Sequence, residues 1–387
     1  MSSVAREVVR VIGGVDTHKD MHVAAAVDEL GRQLGHEQFP ATGHGYADLA
    51  AWLASFGEVL AVGVEGTGAW GAGLARHLES VGITVVEVRR PNRQRRRWRG
   101  KSDPIDAQEA ARAVLVGEAA GAPKTATGTV ECIRLLRLAR RSAIKARTQA
   151  LNIFDSTLVG APDTVRDALR GLRRRDAIVR AARFRPGTPA TPERAARFTL
   201  ATIARRVQAL DAEVAALDTE LAALVASAAP TLLALPGVGP ETAGTLLVAA
   251  GDNPHRLRDD AAFAALCGAS PVQASSGKVV RHRLNRGGDR DANSALWRIV
   301  LVRMGTDPRT RAYVARRTAE GRSKAEIMRA LKRYVARQTY RAIIDDAIGV
   351  APPMSGATCA MRRRDAGPAH RESASWTHDP NQSVVAG

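Results

Sequence analysis

The sequence predicts an α/β domain at the N-terminus, a helical region after it, and a mostly α-helical C-terminal domain. Three observations indicate this order. Five short apolar segments lie in the first 88 residues. At 200–224, apolar residues recur alternately every three and every four positions, as on one face of a helix. The later segments have helical patterns and are separated by turns rich in glycine and proline. A chain of 387 residues can hold two or three buried cores. We expect domains at 1–125, 126–229 and 230–350, and a disordered tail at 351–387.

The predicted N-terminal sheet begins as a meander of three strands and continues with alternating helices and strands. Apolar runs predict strands at 8–16, 21–27, 33–39, 59–65 and 83–88, with helices at 45–56 and 70–81. This order predicts a mixed sheet that is covered by helices.

Four acidic residues fall at the ends of these predicted elements. Asp16 closes the first strand and Glu65 the fourth, while Asp103 and Asp106 open the next helix, with Asp103 as N-cap and Pro104 as the first helical residue. Such positions meet in one crevice of an open α/β sheet. Four carboxylates there fit two Mg²⁺ ions about 3.5–4 Å apart, the arrangement used in phosphoryl transfer. Taken singly, each acid could instead be a turn, strand-end or helix-capping residue.

The charge of the chain indicates a polyanionic partner. Lysine and arginine outnumber the acids 57 to 39, which gives a net charge of +18, and the basic residues cluster. We favour nucleic acid over a membrane surface because no basic amphipathic helix dominates. Three scattered cysteines and the absence of a long apolar run predict a soluble intracellular protein. An arginine-rich run before the acids could hold phosphates and stack a base: Arg93, Arg95, Arg96, Arg97, Trp98, Arg99 and Lys101.

The middle of the chain predicts long basic helices and a coiled coil. Helices are expected at 130–158 and 163–183, after a linker at 121–128. A third helix is capped by Thr191 and Pro192 and carries a narrow heptad seam from Leu200 to Leu224, which is typical of a coiled coil. We favour pairing between protomers, with antiparallel pairing inside one chain as the alternative.

The C-terminal part predicts a helix–hairpin–helix and two further helices, at 293–304 and 323–344. Residues 232–243 contain Gly237 and Gly239 in a turn whose amides could approach a phosphate. The alternative is an interhelical turn without a ligand.

Three N-terminal segments resemble the Asp-Glu-Asp-Asp signature of the IS110 family of bacterial insertion-sequence transposases. They are Gly14–Asp16, Gly63–Gly68 and Lys101–Ala107. The resemblance implies a RuvC-like, RNase H-type fold for the N-terminal domain. The segment from Ala269 to Arg290 resembles the C-terminal domain of the same family, in which a serine before a glycine is the nucleophile. Ser276 matches that serine, with Ser275 as the alternative.

The resemblance also implies a mechanism and partners. The serine would form a covalent phosphoserine link to DNA, in a composite site where the metals held by the acids activate it or stabilise the leaving oxygen. A structured non-coding (bridge) RNA would select the donor and target DNA, and the protein would be a dimer or tetramer in the bacterial cytoplasm. The basic residues around the serine, expected to contact nucleic acid, are Lys278, Arg281, Arg283 and Arg286.

Three other functions remain open from the sequence. A metal-dependent nuclease or Holliday-junction resolvase would use water in place of the serine. An actin-like sugar or acetate kinase would use 11–17 and 66–68 as phosphate loops, but the charge argues against it. A purely architectural nucleic-acid binder explains the charge and leaves the placement of the four acids unexplained.

Overall fold

The computed structural model describes residues 9–88, 102–119, 121–273, 275, 277, 282–283 and 285–350, except for the side chains of residues 282 and 350. Several predicted features lie outside these ranges: the tail at 351–387, Arg93, Arg95, Arg96, Arg97, Trp98, Arg99, Lys101, Ser276, Lys278 and Arg281.

The N-terminal sheet has five strands, and the prediction of a mixed sheet is confirmed. The strands are β1 (Arg10–Thr17), β2 (Met21–Asp28), β3 (Gln33–Pro40), β4 (Glu58–Glu65) and β5 (Val85–Val88). Their order in the sheet is β3-β2-β1-β4-β5. β1, β2 and β3 form an antiparallel meander, whereas β4 is parallel to both β1 and β5. The carboxyl ends of β1 and β4 therefore lie at the same edge.

Helices cover both faces of this sheet. On one face, α1 (Gly43–Ala54) and α2 (Ala72–Ser80) bury a core with the alternate β1 residues Val11 and Val15. On the other face, α3 (Asp103–Leu115) packs against β1, β2 and β4. The contact is close at Gly14, where an added Cβ would lie 2.1 Å from the carbonyl oxygen of Ala107. Glycine at this position therefore sets how deeply α3 sits on the sheet.

The start of α3 differs from the prediction by one residue. Ser102, with extended backbone angles of φ −142° and ψ 141°, is the N-cap, and Asp103 is already the first helical residue. The prediction that Asp103 caps the helix is therefore wrong, because the chain turns into the helix one residue earlier. Asp106 remains in the first turn, one helical turn after Asp103.

The helical region consists mainly of two long helices that pair within the chain. They are α4 (Thr129–Val159) and α7 (Pro192–Ala228), joined through α5 (Asp163–Leu169) and α6 (Arg174–Ala182). As predicted, α7 is capped at Thr191, whose hydroxyl oxygen accepts a hydrogen bond from the Arg194 amide at 3.2 Å. No helix in the described ranges is both long and apolar enough to cross a membrane.

Ion pairs define how α4 and α7 run relative to each other. Arg140 pairs with Asp218, and Arg147, two turns further along α4, pairs with Asp211, two turns earlier on α7. The two helices are therefore antiparallel, which is the intrachain alternative for the seam of α7. Three seam residues are buried in this arrangement: Leu200, Val207 and Leu221.

The helix predicted at 163–183 is in fact two helices. α5 ends at Leu169 and α6 begins at Arg174. Gly171 between them has a φ of +73°, a left-handed conformation that glycine adopts readily and that stops an α-helix.

The C-terminal part is built around one apolar core. Its elements are α8 (Pro230–Leu233), α9 (Pro240–Ala250), a short 3₁₀ helix (Pro254–Arg256), α10 (Asp260–Leu266), β6 (Val272–Gln273), β7 (His282–Arg283), α11 (Arg290–Thr306), α12 (Pro308–Ala319) and α13 (Lys324–Val350). The two helices predicted here correspond to α11 and α13, which are both longer than expected. Ile133 of α4 and Val225 of α7 join this core, so the base of the helical pair is packed into the C-terminal part.

The predicted linker at 121–128 is extended and docked at several points. Gly121 forms an isolated β-bridge with Glu87 at the edge of the sheet. Asn253, which follows α9, donates its side-chain amide to the Pro123 carbonyl at 2.9 Å and accepts from the Thr125 amide at 3.3 Å. Asp252 accepts from the Val130 amide at 2.8 Å. The linker therefore connects the sheet edge to the C-terminal core.

Candidate metal site and nucleic-acid surfaces

Asp16 and Glu65 are neighbours at the carboxyl ends of two parallel strands. Val15 of β1 lies opposite Val64 of β4, so the residues that follow them lie side by side. Successive side chains of a strand point to opposite faces of the sheet. Val15 and Val64 face the core formed with α1 and α2, so the carboxylates of Asp16 and Glu65 point towards α3 on the other face. The Thr17 hydroxyl donates to the Glu65 carbonyl oxygen at 2.7 Å and joins the two strand ends.

The first turn of α3 brings Asp103 and Asp106 to the same edge. Because α3 lies directly over β1 and β4, its N-terminal turn faces the ends of these strands. Asp106 is buried, as are Asp16 and Glu65, whereas the side chain of Asp103 is 42% exposed. Three of the four carboxylates are therefore buried at this edge, and the fourth is partly exposed.

The electrostatics of Asp16 show that the four carboxylates interact. Burial is the main cause that raises the pKa of Asp16 above its ordinary value. His18 lowers it, and the negative charges of Glu65, Asp106 and Asp103 raise it further. Such mutual repulsion in a buried pocket is what a bound divalent cation would relieve.

His18 also belongs to this cluster, a position that the sequence does not predict. Its Nε2 atom lies 3.4 Å from Oδ2 of Asp16 and 3.5 Å from Oδ2 of Asp103. One ligand atom from each of these three residues falls within 4.8 Å of the others. The only signal in the sequence is a histidine two residues after a strand-end acid, and its meaning depends on where α3 begins.

These side chains fit a divalent metal ion. Carboxylate oxygens and an imidazole nitrogen are ordinary ligands of such ions. In addition, Nε2 of His18 is shielded from solvent and makes no hydrogen bond within the described part of the chain, although two carboxylates are near. A nitrogen placed in this way between two acid oxygens fits the ligand set of a divalent cation.

The turn that contains Gly237 and Gly239 lies between α8 and α9. Gly237 has a φ of +75° and packs against α11, where an added Cβ would lie 3.1 Å from the Ile299 carbonyl oxygen. Arg303 of α11 supports the turn by donating to the Pro236 carbonyl at 2.7 Å. Gly239 is open on its Cβ side, and its amide donates to the Thr242 hydroxyl at 3.0 Å. Of the two glycines, Gly239 has the more accessible face.

In sequence, the predicted nucleophile lies between β6 and β7, which pair as antiparallel strands. Ser275 and the basic residues Arg283 and Arg286 are exposed. Asn293 of α11 donates to the carbonyl of Cys267, the residue after α10, at 2.8 Å and accepts from the buried Lys332 ammonium at 3.0 Å.

Comparisons with known proteins find similar sequences for two parts of the chain. A family model described as a transposase, with DEDD and IS110 in its name, matches residues 13–161, and a model described as "Transposase IS116/IS110/IS902 family" matches residues 229–315. An uncharacterized 43.6 kDa protein of insertion element IS110 from Streptomyces coelicolor is 33% identical over 105 residues. That match spans 27% of this chain and 26% of the relative.

Proposed function

Since the chain belongs to the IS110 family of transposases, we propose that it cuts and rejoins DNA to mobilise an insertion sequence. The observation that carries this proposal is the convergence of Asp16, Glu65, Asp103 and Asp106 in a domain that matches an IS110 transposase model. The net charge of +18 fits a DNA substrate, because DNA binding depends strongly on neutralising phosphates.

The four acids would hold Mg²⁺, and two ions fit the number of carboxylates. Bound Mg²⁺ would supply charge stabilisation for the attacking and leaving oxygens of a phosphodiester. The protein's own contribution is to hold the carboxylates ready in a buried pocket. The ends of β1 and β4, joined by the Thr17 hydrogen bond, hold Asp16 and Glu65 in place. The packing of α3 against the sheet holds Asp103 and Asp106.

Ser276 is our candidate nucleophile, with Ser275 as the alternative. Its Oγ would attack a DNA phosphorus, so that a serine–phosphate bond forms while the bond from phosphorus to one sugar oxygen breaks. The hydroxyl proton leaves the serine, and the released sugar oxygen is protonated to a hydroxyl. The new diester keeps the energy of the old one, so a DNA hydroxyl can reverse the step and rejoin the strand.

The remaining parts of the proposal concern architecture and partners. We propose a RuvC-like, RNase H-type domain at 1–125, a helical region at 126–229 that also pairs as a coiled coil between protomers of a dimer or tetramer, and a C-terminal transposase domain at 230–350. The strand order of the sheet supports the first assignment. Separate apolar clusters in the sheet, at the far end of the α4–α7 pair and in the C-terminal part support the division.

We further propose that the protein works in the bacterial cytoplasm with a structured RNA that pairs with donor and target DNA. Base pairing would then select the sequence while the protein contacts backbone and shape. The exposed Arg283 and Arg286 support a backbone-contacting role.

The test is whether a covalent protein–DNA adduct forms. Full-length protein is incubated with Mg²⁺, element DNA and the RNA transcribed beside the gene, and denatured samples are examined for DNA that remains attached to protein. Wild type should give the adduct, Ser276→Ala should lose it, and Asp106→Asn should lose cleavage altogether. An adduct that survives Ser276→Ala and disappears in Ser275→Ala moves the nucleophile by one residue. Cleavage without any adduct instead indicates the nuclease or resolvase that uses water.

A further inference from the structure

Nε2 of His18 lies between Asp16 and Asp103, within ion-pair distance of both carboxylates. Hydrogen bonds from a ring nitrogen to a carboxylate measure roughly 2.7–3.2 Å, and both distances from Nε2 exceed that range, at 3.4 and 3.5 Å. The nitrogen is shielded from solvent yet makes no hydrogen bond to any residue that the structure describes. An ordinary ion pair with one acid would bring the nitrogen closer to that acid than to the other.

We propose that His18 is a direct ligand of a divalent cation, together with Asp16 and Asp103. This inference rests on the metal site of the proposed function and adds a nitrogen donor to it. Two atoms bound to the same ion at about 2.1 Å stand about 3.0–3.4 Å apart. The spacing of Nε2 from both carboxylate oxygens is close to that range, and the three ligand atoms already lie within 4.8 Å of one another.

The burial of the residues divides the cluster into two unequal parts. His18 and Asp103 have side chains that are 39% and 42% exposed, so their end of the cluster opens to solvent. Glu65 and Asp106 are buried at the inner end. Asp16 lies between the two ends, next to Glu65 on the sheet and within 3.4 Å of His18. The outer cation would therefore have mixed nitrogen and oxygen ligands, and the inner one oxygen ligands from the protein.

The nitrogen donor changes which ion the outer position prefers. Mg²⁺ favours oxygen ligands and keeps its water, whereas Mn²⁺ accepts imidazole and stands higher in general affinity for nitrogen-containing sites than Mg²⁺ does. His18 should therefore give the outer position a preference for Mn²⁺ over Mg²⁺. Removing the imidazole should reduce this preference and leave the oxygen ligands in place.

The experiment measures metal binding by the full chain without DNA or turnover. Mn²⁺ and Mg²⁺ are titrated by calorimetry into wild type, His18→Ala, Asp16→Asn and the control His44→Ala, whose imidazole lies 90% exposed on α1. We expect His18→Ala to weaken the tighter Mn²⁺ binding by about tenfold or more, in line with the loss of one ligand, and to change Mg²⁺ binding by less than about threefold. His44→Ala should bind both ions as wild type does.

Pulsed electron paramagnetic resonance of bound Mn²⁺ gives a second readout that does not depend on the stability of a variant. The wild-type spectrum should contain the coupling of a directly bound ¹⁴N nucleus, and His18→Ala should lack it. No nitrogen coupling in wild type, or unchanged Mn²⁺ affinity in His18→Ala while Asp16→Asn loses binding, would overturn the role of His18 and leave the acid site intact. Equal binding by wild type and Asp16→Asn would instead reject the metal site of the proposed function itself.

Discussion

Replacing Gly14 by alanine tests whether the close packing of α3 on the sheet positions the four acidic residues of the candidate metal site. The added methyl would lie 2.1 Å from the Ala107 carbonyl oxygen and 2.3 Å from the Ala111 amide nitrogen. Ordinary contact begins at 3.4 Å, so α3 must move outward by about 1.3 Å at this point (from 2.1 to 3.4 Å). Both clashing atoms belong to backbone, so no side-chain rotation can relieve the overlap.

The expected effects are a loss of stability and a weaker metal site. Forcing one extra methyl into a packed contact costs about 1–3 kcal/mol of unfolding free energy. Asp106 is the residue before Ala107, so a shift of this size at Ala107 also moves its carboxylate away from Asp16. We expect Gly14→Ala to unfold several degrees below wild type and to bind Mn²⁺ at least about tenfold more weakly.

The assay is thermal unfolding followed by circular dichroism, together with Mn²⁺ titration of the folded protein. Gly43→Ala, in the same domain, is the matched control, because an added Cβ there meets nothing within 4 Å. It should match wild type in both measurements. Wild-type stability and metal affinity in Gly14→Ala would refute the close packing of α3 on β1 and its role in holding the acids.

Three further predictions concern other parts of the molecule. Arg303→Met removes the buried donor to the Pro236 carbonyl and to Gln338. Denaturant unfolding should show a loss of about 2–4 kcal/mol, because buried acceptors lose a charged partner. Replacing the exposed Arg298 on the same helix by methionine should cost little, and equal effects would contradict the role of Arg303 in supporting the turn. Burial lowers the pKa of His22 from 6.5, so below that value the unfolded chain binds more protons than the folded chain, and the free energy of unfolding should fall as the pH drops through 6.5. His22→Phe should reduce this pH dependence. An unchanged slope would contradict the assignment of this effect to His22. Asn253→Ala should release the linker and speed proteolysis between 119 and 128. The control Asp218→Ala, on the helical pair, should leave cleavage there unchanged. Equal cleavage of both variants would show that the linker is not held by Asn253.

The sheet and the acid positions could be predicted from the sequence because their signals are local. Apolar runs that end at Asp16 and Glu65 define strand ends directly, and Pro104 limits the start of α3 to within a residue or two. The order of meander and alternating elements then determines which strand ends share an edge. The N-cap was assigned one residue too late because Ser102 and Asp103 are both good capping residues.

The pairing of α7 could not be predicted, because its seam has the same pattern whichever helix covers it. The ion pairs that show its partner join α4 to residues 64 and 78 positions away in the chain. The break at Gly171 was missed for a different reason, since one glycine within a helical pattern usually only weakens the helix. His18 could not be assigned without knowing that the start of α3, 85 residues later in sequence, folds over it.

The most direct test of the account is to locate bound metal by anomalous X-ray scattering from crystals of the full chain grown with Mn²⁺. Manganese peaks should lie in contact with the carboxylate oxygens of Asp16. One peak should be shared with Asp103 and His18, and the other with Glu65 and Asp106. Manganese bound elsewhere, or none at the ends of β1 and β4 under saturating Mn²⁺, would contradict the claim that these side chains form a common metal site.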